Sequence, residues 1–285
     1  MINNPRYEFS SISEREDFRW PGGKKIAAYL AINIEWFSFG EGKGASLIRS
    51  VAPEAIVNYS WRDYGNRVGT DRLRRLCENL GIVPTLMVNS SSYEFCPEII
   101  RCFDELEPEI VAHGETNSVS QDEMGIEDER SMVERCSRRI QLEHGRRPVG
   151  WLSPWIAETV ATSDILAECG YKYTLNLCSD DQPFYLNTSS VPLLSIPYPQ
   201  ELNDIPTILG RGLEIYTFCS MIIDAYRQLS EFDDHASVMG IAVHPYIIGQ
   251  PHRASVFRET LTELKKKSDI WWTTPSEISR YYTRE

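Results

Sequence analysis

Positive charge is scarce in this sequence: 29 Lys and Arg stand against 41 Asp and Glu in 285 residues, a formal net charge of −12. That balance argues against nucleic acid or an anionic membrane surface as a partner, because phosphate recognition rests on clustered Lys and Arg. A small neutral or cationic substrate stays compatible with it. Long apolar runs are also missing; nowhere do eighteen apolar residues follow one another. The stretch from Met1 to Phe18 is polar, carries Glu14, Arg15, Glu16 and Asp17, and lacks the apolar centre of a leader peptide. Neither a secretion signal nor a membrane span is expected. No C-x-x-C occurs among the seven cysteines, an odd number scattered as Cys77, Cys96, Cys102, Cys136, Cys169, Cys178 and Cys219. They read as small apolar residues of a reduced, cytoplasmic protein. Low-complexity tracts and Pro/Gly/Ser linkers are absent too.

What is present is the ordinary globular balance, 42% hydrophobic and 25% charged. Apolar, β-branched runs bounded by turn residues recur along it. Lys25–Ile34, Ile82–Val88, Glu109–Ala112, Arg147–Trp151, Tyr171–Leu177, Leu193–Pro197, Ser237–Val243 and Ile270–Thr273 read as strands. Helical patterns alternate with them at Thr70–Leu80, Cys96–Leu106, Gly125–Glu143, Ala161–Cys169, Leu213–Ser230 and Ala254–Lys267. Short connections between alternating strands and helices point to an α/β protein whose parallel sheet closes into a barrel. Residues 1–19 then form an N-terminal extension and 20–285 one barrel domain. In such barrels chemistry gathers where strands end and loops begin. Three buried runs end there in a polar residue: Glu35 in Asn33-Ile34-Glu35-Trp36, His113 before Gly114, and His244 before Pro245.

Further blocks surround these breaks. They are Tyr64-Gly65-Asn66-Arg67-Val68-Gly69, Glu109 to Gly114, Gly150-Trp151-Leu152-Ser153-Pro154 and Asp180-Asp181-Gln182-Pro183-Phe184. Pro197-Tyr198 with Asn203-Asp204, and His244-Pro245 followed by Gly249-Gln250-Pro251-His252-Arg253, complete the set. In this order the chain resembles the polysaccharide deacetylase (NodB-homology) superfamily, and more closely its intracellular allantoinase-like branch, over roughly residues 20 to 282. The resemblance implies a distorted (β/α) barrel of about seven strands that hydrolyses a carbon–nitrogen bond. It also implies a metal site. In the deacetylases a Thr-Phe-Asp-Asp motif supplies a catalytic base and a metal-binding Asp, an H-x-x-x-H motif supplies two metal-ligand histidines, and a late His protonates the departing amine.

The sequence departs from that pattern. Asn33-Ile34-Glu35 stands where the paired aspartates would be, and Asn117 where the second metal histidine would be; Leu152 takes the position of a frequent Arg. His113 and His244 carry over. Glu35, His113 and Asn117 would make a poor zinc set, since an amide oxygen is a weak donor. Metal-independent chemistry is therefore expected, with a weakly held zinc, manganese or cobalt ion as the fallback. Glu35, raised towards neutrality by burial, would take a proton from water. His244 would donate to the leaving nitrogen, and His113 with Asn117 would face the substrate carbonyl or oxyanion. Asn33, Tyr64, Arg67, Asn117, Trp151 and Trp155 are the candidate substrate contacts. The substrate is expected to be a small linear or cyclic amide such as a ureide, hydantoin or imide. The alternatives are a metal-dependent N-deacetylase of an N-acetylated sugar and an inactive barrel kept as a binding module. The aromatic segments Tyr59–Tyr64 and Trp271-Trp272 offer cover for a second subunit of a homo-oligomer.

Overall fold

The computed structural model describes residues 4–49 and 56–284. Its strands are β1 (Ile26–Ile34), β2 (Thr85–Val88), β3 (Glu109–Ala112), β4 (Gly150–Trp151), β5 (Tyr173–Thr174), β6 (Phe184–Leu186), β7 (Leu193–Ser195), β8 (Ser237–Val243) and β9 (Ile270–Trp272). All eight expected runs form strands, and β6 is an addition. The sheet order is β6-β7-β5-β4-β3-β2-β1-β8, with β9 pairing the base of β1. Every pairing is parallel except that of β6 with β7. The sheet curls until its two sides meet through a bridge from Asn203 to Ala242. The result is the distorted (β/α) barrel anticipated from the sequence.

A parallel strand covered on both faces reads as a continuous apolar run, and β1 is buried along all nine residues. The two-residue period still sorts its side chains. Ile26, Ala28, Leu30, Ile32 and Ile34 pack against the helices, whereas Ala27, Tyr29 and Ala31 face the lumen. The same phase places Met87 of β2, Val111 of β3 and Ala242 of β8 inside, and Leu86, Ala112 and Val243 outside. Carried past the strand ends, it delivers Asn33, Glu35, Asn89, His113 and His244 to one mouth of the barrel. Below that mouth, tyrosine rings fill the lumen beside glycines: a Cβ on Gly240 would lie 2.5 Å from the Tyr29 hydroxyl.

Five of the six expected helices form, at Thr70–Leu80, Ile126–His144, Thr162–Glu168, Ile215–Arg227 and Pro251–Leu264. The sixth, over 96–106, is two short turns that part where Phe103 enters the core. Helices Ile56–Tyr64 and Pro275–Thr283 escaped the sequence reading. The first runs through a π-helical turn at Gly65–Gly69 into Thr70–Leu80. Within the first helix Asn58, Trp61 and Arg62 are buried. Within the aromatic segments Trp61 packs 4.9 Å from Tyr246 and Trp271 5.8 Å from Trp20, centroid to centroid, while Tyr59, Tyr64 and Trp272 are partly exposed. Of the extension, residues 4–19 are described; Arg6 pairs with Asp164 at 2.7 Å and Arg15 with Asp180 at 2.6 Å.

The π turn explains the glycines of Tyr64-Gly65-Asn66-Arg67-Val68-Gly69. A Cβ on Gly65 would sit 2.6 Å from the Tyr246 nitrogen, and one on Gly69 would collide with the Pro245 carbonyl. These glycines let the helix lie directly on the loop that carries His244 and Tyr246. Gly69→Ala should therefore destabilise the protein by about 1–3 kcal/mol, the usual cost of overpacking. Urea unfolding of the two proteins measures it, and an unchanged midpoint would contradict this packing role.

Candidate active site

Glu35 follows β1 on the lumen side and is 4% exposed. Its Oε1 accepts a hydrogen bond from Asn117 Nδ2 and lies 3.4 Å from His244 Nε2 and 3.7 Å from His113 Nε2. Its Oε2 accepts from the Tyr246 hydroxyl at 2.6 Å. The three residues singled out from separate strand ends thus converge on one carboxylate.

Each imidazole is oriented from behind. His113 Nδ1 lies 2.8 Å from the Leu152 carbonyl. A carbonyl only accepts, so Nδ1 carries the hydrogen and Nε2 faces Glu35. Gly114 next to it takes φ +67°, and a side chain there would run into Pro154. His244 Nδ1 lies 2.6 Å from Asp204 Oδ1, while Asp204 Oδ2 accepts the His244 backbone N–H at 2.8 Å. The Asp204 carboxylate therefore holds both ring and backbone, and His244 directs Nε2–H at Glu35.

Electrostatics follow from this enclosure. Burial alone would push the Glu35 carboxyl up, but the charge of His244 and the approach of both imidazoles outweigh it and hold Glu35 at about 2. For His244 burial works against the charged form, yet Asp204 and Glu35 together carry its pKa to about 10. The expected rise of Glu35 towards neutrality is thus reversed, because its neighbours are cationic as well as apolar. At neutral pH the centre is a carboxylate and an imidazolium 3.4 Å apart.

Among the remaining candidates, Asn117 sits in the centre, 3% exposed. Trp155 stands on the rim, 37% exposed, with its indole N–H donating to the Asn117 carbonyl at 2.9 Å. Trp155 and Ile156 both adopt left-handed backbone, at φ +62° and +55°. Such strain, costing about 1–3 kcal/mol per residue, concentrates at functional sites. Asn33 lies one layer below, donating to the Tyr198 hydroxyl at 3.2 Å and to the Val243 carbonyl at 3.3 Å. The structure does not bring the other three to the centre. Trp151 faces the helix layer, fully buried against Tyr171, because the strand period points the neighbouring Leu152 inward instead. Arg67 projects into solvent beside Asp63, and the Tyr64 hydroxyl accepts from Arg72 at 3.0 Å.

Sequence reading missed Asp204, Tyr246 and Asn89. Asp204 stood inside the quoted Asn203-Asp204 block but follows no strand. Tyr246 lay two residues beyond His244. Asn89 ends the Thr85–Val88 strand as a polar break of the same kind as Glu35, and it is fully buried. Its Oδ1 accepts from the Trp36 N–H at 2.8 Å, and its Nδ2 donates to the His113 carbonyl and, at 3.0 Å, to Asn117 Oδ1.

The metal set implied by the family resemblance does not fit these residues. The Asn117 oxygen is turned to Asn89, and the nitrogen it presents to Glu35 has no lone pair to donate. Both Glu35 oxygens already accept hydrogen bonds. Among the described residues no group of three or more His, Cys, Asp or Glu is placed to hold a metal ion. The rim beside the centre encloses a depression of about 10 Å³ lined by Trp36, Tyr59, Arg62, Asp63 and Asn66, room for about one water. A larger cleft of about 510 Å³ lies elsewhere, between the N-terminal extension and β6, and contains none of the site residues.

No family model matches the chain. A peptidoglycan deacetylase of Helicobacter pylori is 21% identical over 250 residues, spanning 76% of this chain and 84% of the relative. Among solved structures, Puue allantoinase superposes with a TM-score of 0.88 at 24% identity, covering 99% of this chain and 98% of its own. A probable polysaccharide deacetylase of Pseudomonas aeruginosa PAO1 gives 0.84 at 24% identity over 93% of each chain. The fold is that of the polysaccharide deacetylases, as the sequence resemblance implies.

The Asp204–His244 pair carries a direct test. A carboxylate beside an imidazolium raises its pKa, so Asp204→Asn must lower that of His244 from about 10 towards the ordinary value. Imidazole ¹⁵N shifts followed from pH 5 to 11 should place the His244 titration at a lower pH in the variant. An unmoved titration would refute the pairing.

Proposed function

We propose that this protein hydrolyses a non-peptide carbon–nitrogen bond in a small linear or cyclic amide of the ureide, hydantoin or imide type, without a metal. The observation that carries the reading is the convergence of Glu35, His113 and His244, with both imidazole Nε2 atoms within 4 Å of one carboxylate oxygen. A barrel retained only for binding has no need of that constellation.

The chemistry follows from the charges. A water beside Glu35 attacks the substrate carbonyl carbon, forming the new C–O bond, as Glu35 takes one of its protons. Negative charge moves onto the carbonyl oxygen, which the His244 imidazolium beside Glu35 stabilises. His244 passes its Nε2 proton to the nitrogen, the C–N bond breaks, and the amine side leaves. Glu35 and His244 are coupled throughout. Once Glu35 is protonated, His244 loses one of the two anions that raised its pKa and becomes the stronger acid at the step that needs one. Asp204 keeps its hold on Nδ1, so only the Nε2 proton is free to transfer. His113 aims Nε2 across the same space and anchors the substrate by hydrogen bonding.

Burial strengthens the charge interactions of the site. Glu35, His113 and His244 are each under 5% exposed, beneath a rim formed by Trp36, Asn66 and Trp155. In that enclosure low dielectric strengthens every charge interaction. The seven cysteines are all free, which supports a reducing, cytoplasmic setting.

Purified protein assayed against allantoin, hydantoins, cyclic imides and N-acetylglucosamine oligomers tests the reading. Turnover is expected on a member of the first three groups and unchanged by chelator. Glu35→Gln should lower kcat by about 10²–10⁴, the range for a lost general base. Activity confined to the sugar oligomers, or abolished by chelator, would overturn it.

A further inference from the structure

We propose that Asn89 is the positioning residue that turns this centre from a metal-ligand set into a hydrogen-bonded one. The inference extends the metal-free reading above to a residue that touches neither imidazole ring and lies outside the acid–base chemistry.

Asn89 is locked by groups whose polarity cannot change. The Trp36 backbone N–H only donates, so the atom facing it at 2.8 Å is the amide oxygen. The His113 carbonyl only accepts, so the atom facing it is the amide nitrogen. An amide nitrogen carries two hydrogens, and the second points at Asn117. Asn117 must answer with its oxygen, at 3.0 Å, and its own nitrogen is thereby turned to Glu35. Two backbone groups, acting through two side-chain amides in series, set which atom of Asn117 the centre sees.

Seen from the centre, that choice decides what can bind. With Asn117 presenting N–H, Glu35 is a hydrogen-bonded anion, and the third side chain of the set offers a hydrogen where a metal needs a lone pair. With Asn117 reversed, its oxygen would face Glu35 Oε1, and two acceptors in contact repel each other unless a cation lies between them. Glu35, the Asn117 oxygen and His113 Nε2 would then form a three-donor set, the number of protein ligands usual at a catalytic zinc.

Asn89→Asp removes a hydrogen from the chain of amides. When ionised, the substituted carboxyl has no hydrogen to donate; when protonated, it has one, which the His113 carbonyl takes. In either state Asn117 must reverse and donate to residue 89. The experiment is a zinc titration by calorimetry on wild type, Asn89→Asp and Asn89→Asp/Asn117→Leu, each checked for wild-type circular dichroism. Asn89→Asp should bind zinc about 10–100-fold more tightly than wild type, the usual leverage of residues behind metal ligands. The gain should vanish in the double variant, which keeps the added carboxylate but lacks the amide oxygen. Asn89→Ala, which removes both amide hydrogens and adds neither charge nor donor, frees Asn117 to turn and carries the same expectation should Asn89→Asp not fold. Folded Asn89 variants with wild-type zinc affinity would overturn the proposal, as would a gain that survives loss of Asn117. Tight zinc binding by wild type would instead sink the metal-free reading itself.

Discussion

A fully desolvated carboxylate is the constraint around which the mouth of this barrel is arranged. Left alone in an apolar site, Glu35 would protonate or force the chain to expose it. Instead it receives an amide N–H, a phenol O–H and the approach of two imidazoles, supplied by four separate residues. Each of these groups is fixed from behind: Asn117 by Asn89, His113 by the Leu152 carbonyl, His244 by Asp204, and Tyr246 by rings from Phe37 and Trp61. Removing Asn89 or Asp204 therefore changes which atom reaches the carboxylate more than it changes the packing volume.

The two-residue period of the strands explains why these donors share one side. In a parallel barrel neighbouring strands run in register, so lumen-facing positions end at similar heights. Ala31 pairs with Thr85 and Ala242, and Thr85 with Glu109, which places Glu35, Asn89, His113 and His244 within a turn of one another at the same mouth. Close approach of the helix through Gly65 and Gly69 then presses the His244–Tyr246 loop inward.

This geometry also accounts for what the sequence made legible. Strands were readable because a strand buried on both faces is an uninterrupted apolar run, and Glu35, His113 and His244 because each interrupts one abruptly. Asn89 met the same criterion, but an Asn followed by three serines has the local character of a turn. Asp204 belongs to no strand and reaches His244 across the barrel seam, where only tertiary closure brings them together. Trp151 misled for the opposite reason: a large aromatic at a strand end promises a pocket wall, yet its phase assigns it to the helix layer. The direction of the Glu35 shift was likewise beyond local reading, since burial and ion pairing act in opposite senses and only the pairing partners decide between them.

Charge neutrality gives the absence of family metal ligands a physical sense. Asp204 and Glu35 are two buried anions, and His244 supplies one cation. Arg62 supplies a second from just outside the Tyr246 ring. It is 8% exposed and its guanidinium lies 4.6 Å from the Phe37 ring centroid. Among the described residues no carboxylate lies within 4 Å of it. Burial pulls its pKa down, and attraction to Tyr246 and Glu35 works against that pull. Counted together, two carboxylates and two cations cancel, so the buried set is already neutral. A divalent ion added to it would leave two uncompensated positive charges in a low-dielectric site. In a centre that carries paired aspartates and two ligand histidines, the metal itself supplies the compensating charge. Here an Asp-supported imidazolium and a buried Arg supply it, and in the metal-free reaction proposed above the acid–base pair Glu35 and His244 takes over the metal's part.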